Sequence, residues 1–354
     1  MSNSLGERYR VQIFGQSHSP AIGCVIEGLP AGIVPDMDFI RAFMARRAPG
    51  GALSTARKET DEPQIIAGLN DRGETCGAPL CAVIPNADAR SQDYDLLRDI
   101  PRPGHADYAA WAKFGGHNDI RGGGQFSGRL TAPLCFAGGL ALRLLAEKGV
   151  RVKARVLSVA DVEDAPVDLA RPPIDQIAGE TLPVIDPTAG ARMAEAIEAA
   201  RSDGDSVGGV IECFADGLPA GLGEPMFGGV ENRLAQALFG IPAVRGVEFG
   251  LGFAAAKLRG SAHNDAFRMQ DGAVVTETNR HGGVLGGITS GMPLVFRAAF
   301  KPTPSIARKQ DSVSLSRQSN AALSIGGRHD PCVVPRAVPT VEAAAACVLY
   351  DLML

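Results

Sequence analysis

Hydrophobic and polar positions alternate with two different periods along the N-terminal part of the chain. The run from Tyr9 to Phe14 alternates residue by residue, as a half-buried strand does, and Ala21 to Glu27 is a second strand pattern. Between Asp36 and Arg47 the apolar residues recur at helical spacing, and Pro49-Gly50-Gly51 follows. The pattern therefore predicts two strands and then an amphipathic helix.

Longer apolar runs mark the interior of the protein. Leu130 to Lys148 and Val341 to Leu354 are rich in alanine and leucine and predict buried helices. Gly138 and Gly139 interrupt the first run, and paired glycines there indicate close packing of another element, because they otherwise lower helix stability. We expect the two helices to form an inner layer that antiparallel sheets cover.

Shorter patterns complete the outline, which we interpret as a single domain of residues 1–354. They predict a helix from Met193 to Arg201, a strand from Val207 to Phe214 and a helix from Glu231 to Phe239. The polar stretch from Asp161 to Gly190 is the one boundary candidate. We interpret it as an insertion and not as a linker between domains.

Composition narrows the class of protein. Hydrophobic residues make up 45% of the 354 residues and charged residues 21%, which is typical of a globular protein. The net charge of −4 argues against nucleic-acid binding and against acidic membranes, because both need a concentrated basic face. The N-terminus lacks an apolar signal core and no run predicts a membrane span, so we expect a cytoplasmic protein.

Seven cysteines and six histidines offer no recognisable metal site. The cysteines are odd in number, form no CxxC pair and lie partly in apolar runs, which favours buried reduced thiols over disulfides or metal ligands. The histidines form no HxH, HxxxH or HExxH pattern. We therefore predict no metal.

Three histidines lie in short turns built from glycine, proline and serine. His18 follows a strand in Gly15-Gln-Ser-His-Ser-Pro20, His105 lies in Arg102-Pro-Gly-His-Ala-Asp-Tyr108, and His329 precedes Asp330 in Gly326-Gly-Arg-His-Asp-Pro-Cys332. A single histidine in such a place is more often structural than catalytic. Three of the six histidines lie in the same kind of turn, and this favours a role in proton transfer over coincidence.

Arginines and glycines form a second group of candidates, which suits anions. Arg121-Gly-Gly-Gly124 lets main-chain N–H groups approach a ligand closely, and Arg129 stands beside it at the start of a buried helix. Guanidinium groups bind carboxylates and phosphates through paired hydrogen bonds. From the residues alone, the chain is a protein that binds polyanionic small molecules, with histidine and aspartate available for proton transfer.

A further glycine-rich segment, Asn279 to Gly291, is followed by Lys301-Pro-Thr-Pro-Ser305. Glycine pairs with a lysine and two hydroxyls suit a flat cofactor with a phosphate tail. A bulged hairpin without a ligand fits the same residues equally well.

Seven motifs in register resemble the chorismate synthase family and cover nearly the whole chain. They are Gly15-Gln-Ser-His18, Arg46-Arg47-Ala-Pro-Gly50, Arg102 to Tyr108, Asp203-Gly-Asp-Ser-Val-Gly-Gly209, Ile241 to Gly250, Gly282 to Gly291, and Gly327-Arg-His-Asp-Pro-Cys332. The resemblance implies an α+β fold, a β-α-β sandwich with a helical layer between antiparallel sheets, assembled as a homotetramer. It also implies a 1,4-anti elimination that converts 5-enolpyruvylshikimate 3-phosphate to chorismate and phosphate with reduced FMN.

The same resemblance assigns roles to residues. His18 is the proton donor to the leaving phosphate, His105 protonates or hydrogen-bonds the reduced flavin ring, and Asp330 assists proton removal through flavin N5. The candidates for the substrate's phosphate and carboxylates are Arg47, Arg129 and Arg336. The segments that match the family's flavin contacts are Gln125, Phe126, Ser127, Pro242, Ala243, Gly286, Lys301, Pro302, Thr303, Pro304, Ser305 and Arg328. At this chain length we expect an external flavin-reducing system.

Three departures from the family pattern leave other functions open. Gln16 replaces a glutamate, Gln125-Phe-Ser-Gly-Arg-Leu-Thr131 lacks an arginine and a glutamate, and an expected second arginine is missing near Ala52 or Leu53, where Arg57 is the nearest substitute. We interpret these as marks of a divergent subgroup. The alternatives are a flavin-dependent lyase acting on a related cyclic phosphate, and a non-catalytic carrier of flavin or anions.

Overall fold

A computed structural model of the chain describes residues 3–51, 53–54, 61–86, 96–179, 181–325 and 329–354. Its helices are α1 (Met37–Ala45), α2 (Asp107–Phe114), α3 (Thr131–Glu147), α4 (Pro187–Ser202), α5 (Val230–Phe239), α6 (Gly260–His263) and α7 (Val334–Met353). Its strands are β1 (Ser4–Leu5), β2 (Arg10–Phe14), β3 (Ala21–Glu27), β4 (Gln64–Ala67), β5 (Leu80–Pro85), β6 (Arg151–Val159), β7 (Val162–Glu163), β8 (Gly209–Asp216), β9 (Val244–Phe249), β10 (Phe267–Gln270), β11 (Ala273–Thr276), β12 (Val284–Leu285), β13 (Ile288–Thr289), β14 (Leu294–Phe300), β15 (Gln310–Ser314) and β16 (Ser319–Leu323).

Two five-stranded antiparallel sheets enclose an inner layer of helices. The first has the order β1-β2-β3-β5-β4 and the second the order β7-β6-β8-β14-β9. Three two-stranded hairpins, β10-β11, β12-β13 and β15-β16, extend from this framework. In the first sheet β3 has the predicted bounds, and its side chains Ile22, Cys24 and Ile26 are fully buried in the core.

The inner layer is built from α3 and α7, which pack against each other while α3 faces the first sheet and α7 the second. Gly138 is required at their crossing, because a Cβ there would lie 2.4 Å from the Cα of Ala343 on α7. Gly139 faces α1, where a Cβ would lie 3.4 Å from Ile40. The prediction of close packing at the paired glycines is confirmed.

Two helices begin earlier than the sequence analysis predicts. Helix α4 begins at Pro187 and not at Met193, with Asp186 accepting a hydrogen bond from the Thr188 N–H at 2.8 Å as its cap. Helix α7 begins at Val334 and not at Val341, although it includes Pro335 and Pro339. Pro335 lies in the first turn, where its missing N–H removes no helical hydrogen bond.

The stretch predicted as an insertion, between Asp161 and Gly190, lies on the second sheet. Its apolar side chains Ile174 and Ile177 pack on Phe214 of β8 and Val295 of β14. The segment therefore covers the face of the sheet that points away from the helices.

Beneath this segment, five charged side chains form a sheet ladder: Arg155, Glu212, Arg297, Glu248 and Asp164. Arg155 on β6, Glu212 on β8, Arg297 on β14 and Glu248 on β9 are cross-strand neighbours. Their N–O distances are 2.8–3.0 Å, and Asp164 completes the ladder at 2.8 Å from Arg155. Asp164 also accepts hydrogen bonds from two backbone N–H groups of the covering segment.

One described helical segment, Gly128–Glu147, is long and apolar enough to cross a membrane by length and composition. However, 72% of its most apolar window is buried inside the protein. It is the core helix α3 together with the turn that leads into it.

Candidate active site

A cavity of about 720 Å³ opens beside the N-terminal end of α3. Six parts of the chain line it: the end of α1, the turn before α2, the glycine-rich loop before α3, the α5–β9 connection, the segment after β14, and the start of α7. Among the described residues, six basic side chains line the cavity: Arg47, Arg102, Arg129, Arg245, Lys301 and Arg336. Asp330 is the one acidic side chain among the described lining residues.

The triple glycine of the sequence brings two histidines together. Gly122, Gly123 and Gly124 have φ angles of 60°, 85° and 56°, a left-handed conformation that favours glycine. A Cβ on Gly122 would lie 2.7 Å from the His18 Nε2, and a Cβ on Gly123 would lie 3.1 Å from the His105 Nε2. These glycines therefore admit the two imidazole rings from either side of one loop.

Backbone contacts fix the His18 turn against this loop. The Ser17 N–H donates to the Gly124 carbonyl at 3.1 Å, and the Ser127 hydroxyl lies 3.3 Å from that of Ser17. His18 is buried and lies behind Gly122, so it does not itself line the cavity. Gln16, which replaces the family's glutamate, is exposed, so the missing carboxylate is on the solvent side of the turn.

His105 is held by a buried carboxylate two residues further on. Its Nδ1 lies 2.5 Å from an Asp107 oxygen, and the Arg102 guanidinium donates to both oxygens of that carboxylate at 2.7 and 2.8 Å. Burial raises the pKa of the Asp107 carboxyl, but the hydrogen bonds from Arg102 and His105, together with their charges, hold it well below the ordinary value.

Arg47 and Arg129 are joined by one buried carboxylate, Asp61. Arg47 donates to one Asp61 oxygen at 2.5 and 3.0 Å, and Arg129 donates to the other. Burial raises the pKa of Asp61, but the two guanidiniums lower it below its ordinary value. Arg47 also reaches the hydroxyl of Thr131 at 3.2 Å, which ties the pair to the first residue of α3.

Asp330 and Arg336 form an ion pair at the start of α7. The Arg336 Nη1 lies 2.6 Å from an Asp330 oxygen, and its Nε donates to the backbone carbonyl of Arg47 at 2.9 Å. His329 lines the cavity beside them. The predicted base and a predicted anion ligand are therefore in contact.

The segment after β14 forms the opposite wall. Lys301 donates to the backbone carbonyl of Gly104, and the Arg102 guanidinium lies 3.3 Å from the Ser305 hydroxyl. Burial and the nearby charge of Arg245 lower the pKa of Lys301. The Thr303 hydroxyl is buried without a hydrogen-bond partner within the described part of the chain.

Most of the site residues predicted from the sequence meet at this cavity. It is lined by His105, Asp330, Arg47, Arg129, Arg336, Gln125, Phe126, Ser127, Pro242, Ala243, Lys301, Thr303, Pro304 and Ser305. Gly286 lies in the turn between β12 and β13, outside the cavity lining. Pro302 is exposed and is also outside the lining, although Lys301 and Thr303 on either side belong to it. Arg328, Ala52 and Arg57 lie outside the described residues, while Leu53 packs against the hydrophobic core.

Sequence reasoning missed Asp61, Asp107, Arg102 and Arg245 as parts of the site. Asp107 had a detectable signal, because it stands two residues after a histidine in one rigid turn. Asp61 had none, since its partners are 14 and 68 residues away along the chain.

No group of three or more histidine, cysteine or acidic side chains within the described ranges is placed to hold a metal ion. The described residues that line the cavity instead suit an anion, because six of them are basic and one, Asp330, is acidic. The cavity can therefore hold a polyanion beside His105, His329 and Asp330.

Comparison with known proteins gives one family over almost the whole chain. The sequence profile of the family described as chorismate synthase matches residues 9–354. A protein named chorismate synthase from Thermococcus gammatolerans is 49% identical over 349 residues, covering 99% of this chain and 97% of that protein. Another of that name from Lancefieldella parvula is 44% identical over 364 residues, covering 99% and 96%.

A solved structure described as a crystal structure of chorismate synthase is similar to this chain in fold. The TM-score is 0.75 at 26% identity, and the match covers 99% of this chain and 92% of that one. The predicted α+β fold is confirmed.

Proposed function

Because this chain belongs to the chorismate synthase family, we propose that it carries out the elimination that gives the family its name. The substrate is 5-enolpyruvylshikimate 3-phosphate, and the products are chorismate and inorganic phosphate. The enzyme is a carbon–oxygen lyase acting on a phosphate, in the last step of the shikimate pathway to aromatic amino acids.

The predominance of basic side chains in the described lining of the cavity is the observation that carries this proposal. The substrate bears a phosphate and two carboxylates, so its binding needs several cations in a water-poor site. Arg47, Arg129 and Arg336 are the proposed ligands of these groups. Arg47 and Arg129 converge on Asp61, and both line the cavity.

Three side chains supply proton transfer. His18, which lies next to Gly122, is the proposed proton donor to the departing phosphate. His105, whose Nε2 lies next to Gly123, protonates or hydrogen-bonds the ligand through that nitrogen. Asp330 assists removal of the C6 proton and is held in place by Arg336 at 2.6 Å.

The cavity also suits FMN as a cofactor. The buried Thr303 hydroxyl without a described partner is an orphaned polar group that a ligand atom can satisfy. Lys301 lies near it and offers a cation for a phosphate tail. The walls are formed by Gln125 to Ser127, Pro242, Ala243 and Thr303 to Ser305. Pro302, Gly286 and Arg328 are further proposed contacts. When bound, reduced FMN supplies a transient electron that helps to expel phosphate.

Assembly and supply of electrons are further parts of the proposal. Several large apolar side chains are exposed on the single chain, among them Phe227, Phe253, Phe267 and Met269. Exposed apolar patches of this kind mark interaction surfaces, which supports a homotetramer. We place the enzyme in the cytoplasm, with an external system that reduces the flavin.

An anaerobic assay with chemically reduced FMN tests the function. The protein is mixed with 5-enolpyruvylshikimate 3-phosphate, and chorismate and phosphate are followed together. We expect both to appear in equal amounts. Replacement of His18 or His105 by alanine is expected to lower turnover by about 10²-fold or more, the usual scale of general acid–base catalysis.

The same assay separates the alternatives. Phosphate release from another cyclic phosphate, with no chorismate from this substrate, would favour the related lyase that the changes at Gln16 and Gln125 suggest. Flavin binding with no turnover of either substrate would favour a carrier. Unchanged turnover in both histidine variants would contradict the roles assigned to these residues.

A further inference from the structure

Asp107 accepts more hydrogen bonds from the turn that carries Arg102 and His105 than capping of a helix requires. It is the first residue of α2, and its carboxylate is 4% exposed. One oxygen accepts from the backbone N–H and the Nε of Arg102, and the other lies near the Arg102 Nη2 and the His105 Nδ1. A buried carboxylate with four donors is ionised and oriented.

This arrangement decides which nitrogen of His105 carries the proton. The Nδ1 is 2.5 Å from the Asp107 oxygen, so a neutral ring donates its Nδ1–H to that acceptor. The Arg102 Nη2 is also near Nδ1, at 3.1 Å, but it is a donor and is directed at the same carboxylate oxygen. The Nε2 then has the lone pair, and it is the nitrogen beside Gly123.

We propose that Asp107 is a positioning residue that fixes His105 in the Nδ1–H tautomer, so that Nε2 is the atom that exchanges a proton at the cavity. Asp107 does not line the cavity itself and acts through the ring. Its catalytic consequence rests on the proposed function, whereas the tautomer is a property of the protein alone.

Arg102 holds a second donor, its Nη2, close to the His105 Nδ1, and a change at Asp107 therefore has a definite expected effect on the tautomer. When Asp107 is replaced by asparagine, the side-chain oxygen is best placed to accept from the backbone N–H and the Nε of Arg102. The side-chain NH₂ group of the asparagine then faces the His105 ring. Both the amide and the Arg102 Nη2 are then donors directed at Nδ1. The ring is expected to switch to the Nε2–H tautomer, as an Asp-to-Asn change does in a serine-protease triad.

The first experiment reads the tautomer without flavin or substrate. Protein labelled with ¹⁵N-histidine is measured by long-range ¹H–¹⁵N NMR at about pH 8, where an ordinary imidazole is neutral. His105→Gln identifies the His105 signals. We expect Nδ1 to be protonated in the wild type and Nε2 in Asp107→Asn.

A matched control removes a similar carboxylate elsewhere. Asp265 accepts three hydrogen bonds, from Thr278, Arg280 and His281, outside the cavity lining. Asp265→Asn is expected to leave the His105 signals and the turnover unchanged. A wild-type His105 protonated at Nε2 would overturn the proposal without any variant, and so would the same tautomer in wild type and Asp107→Asn.

The second experiment tests whether Asp107 acts through His105. We expect Asp107→Asn and His105→Gln each to lower kcat by about 10²-fold or more, and the double variant to lose no more than the larger single loss. If the kcat losses of the two single variants multiply in the double variant, Asp107 acts by a route other than His105, and this would overturn the proposal. A wild type without turnover would contradict the proposed function, while the NMR result would still decide the tautomer.

Discussion

Two groups of buried arginines in this protein differ in how their charge is balanced. In the sheet ladder, Arg155 and Arg297 are enclosed by three carboxylates, so no positive charge is left over. The described lining of the cavity instead has six basic side chains and one acidic side chain, Asp330. The ladder is a closed structural network, whereas the mostly basic lining of the cavity suits an anionic ligand.

The comparison shows that burial of an arginine does not identify its role. Arg155 and Arg47 are almost equally buried, and both lie within hydrogen-bond distance of aspartates. What separates them is the surroundings: Arg155 lies between a sheet and a covering segment, and Arg47 lies at a cavity of about 720 Å³. The balance of charge around a buried arginine and its access to a cavity together separate a structural arginine from a candidate ligand-binding one.

The largest expected effect follows from opening the ladder at its centre. Glu212→Ala leaves Arg155 and Arg297 without their shared partner, and breaking a buried pair in this way costs about 3–5 kcal/mol. Urea unfolding measures the loss. Glu277→Ala, which removes an exposed pair with Arg268, is the control and is expected to cost less than about 1 kcal/mol. Equal losses in the two variants would contradict a structural role for the ladder.

Removing a cavity arginine is expected to lower activity more than stability. Arg336→Ala removes a proposed substrate ligand, and a hydrogen bond to a charged group contributes about 1.5–3 kcal/mol, so kcat/KM falls by about 10- to 100-fold through KM. Arg297→Ala is the matched variant in the ladder. It is expected to lose stability while kcat/KM per folded enzyme is retained.

The division between kcat and KM decides what Arg336 does. A fall in kcat with an unchanged KM would show that Arg336 serves Asp330, its partner at 2.6 Å, and does not hold the substrate.

The positive charge at the cavity can be raised by one unit. Asp61→Asn removes the carboxylate shared by Arg47 and Arg129 and leaves both guanidiniums at the cavity. Inorganic phosphate should then stabilise the variant more than the wild type, by about 1 kcal/mol if its affinity rises several-fold. Thermal unfolding in phosphate and in chloride at equal ionic strength measures the difference.

The ladder again supplies the control for this experiment. Asp164→Asn also removes a carboxylate from a buried arginine, Arg155, but far from the cavity lining. It should lower stability without changing the increment due to phosphate. An equal phosphate increment in wild type and Asp61→Asn would mean that the cavity does not bind anions through this pair.

Much of the framework was predictable because it depends on local patterns. Strand β3 has the bounds that its alternation predicts, and α3 follows a continuous apolar run whose paired glycines admit α7 and α1. The early start of α4 also had a signal, since Asp186-Pro187 is a typical cap and first helical residue. For α7, the prolines inside the helix hid the first two turns.

Many of the residues that line the cavity could be selected from the sequence, but their contacts could not. The turns around His18 and His105 stood out by composition, and the structure brings both rings to one glycine loop. The sequence did not show that Asp61 bridges Arg47 and Arg129, or that Arg336 pairs with Asp330. Such partners are chosen by the tertiary fold, which places distant segments side by side.

The smallest expected effect concerns acid stability, and it compares the carboxylates at the cavity with their asparagine variants. The pKa of Asp107 is held below its ordinary value of 3.8, chiefly against burial by hydrogen bonds from Arg102 and His105. A carboxyl with a lowered pKa in the folded protein stabilises it fully above the unfolded-state pKa, and this contribution disappears as the pH falls toward the folded-state value. The advantage of the wild type over Asp107→Asn in urea unfolding should therefore be constant from about pH 7 to pH 5 and narrow below about pH 4. Asp61, whose pKa the two arginines also lower against burial, should behave in the same way in Asp61→Asn. A wild-type advantage that stays unchanged down to about pH 3 would show that these arginines do not stabilise the ionised carboxylates.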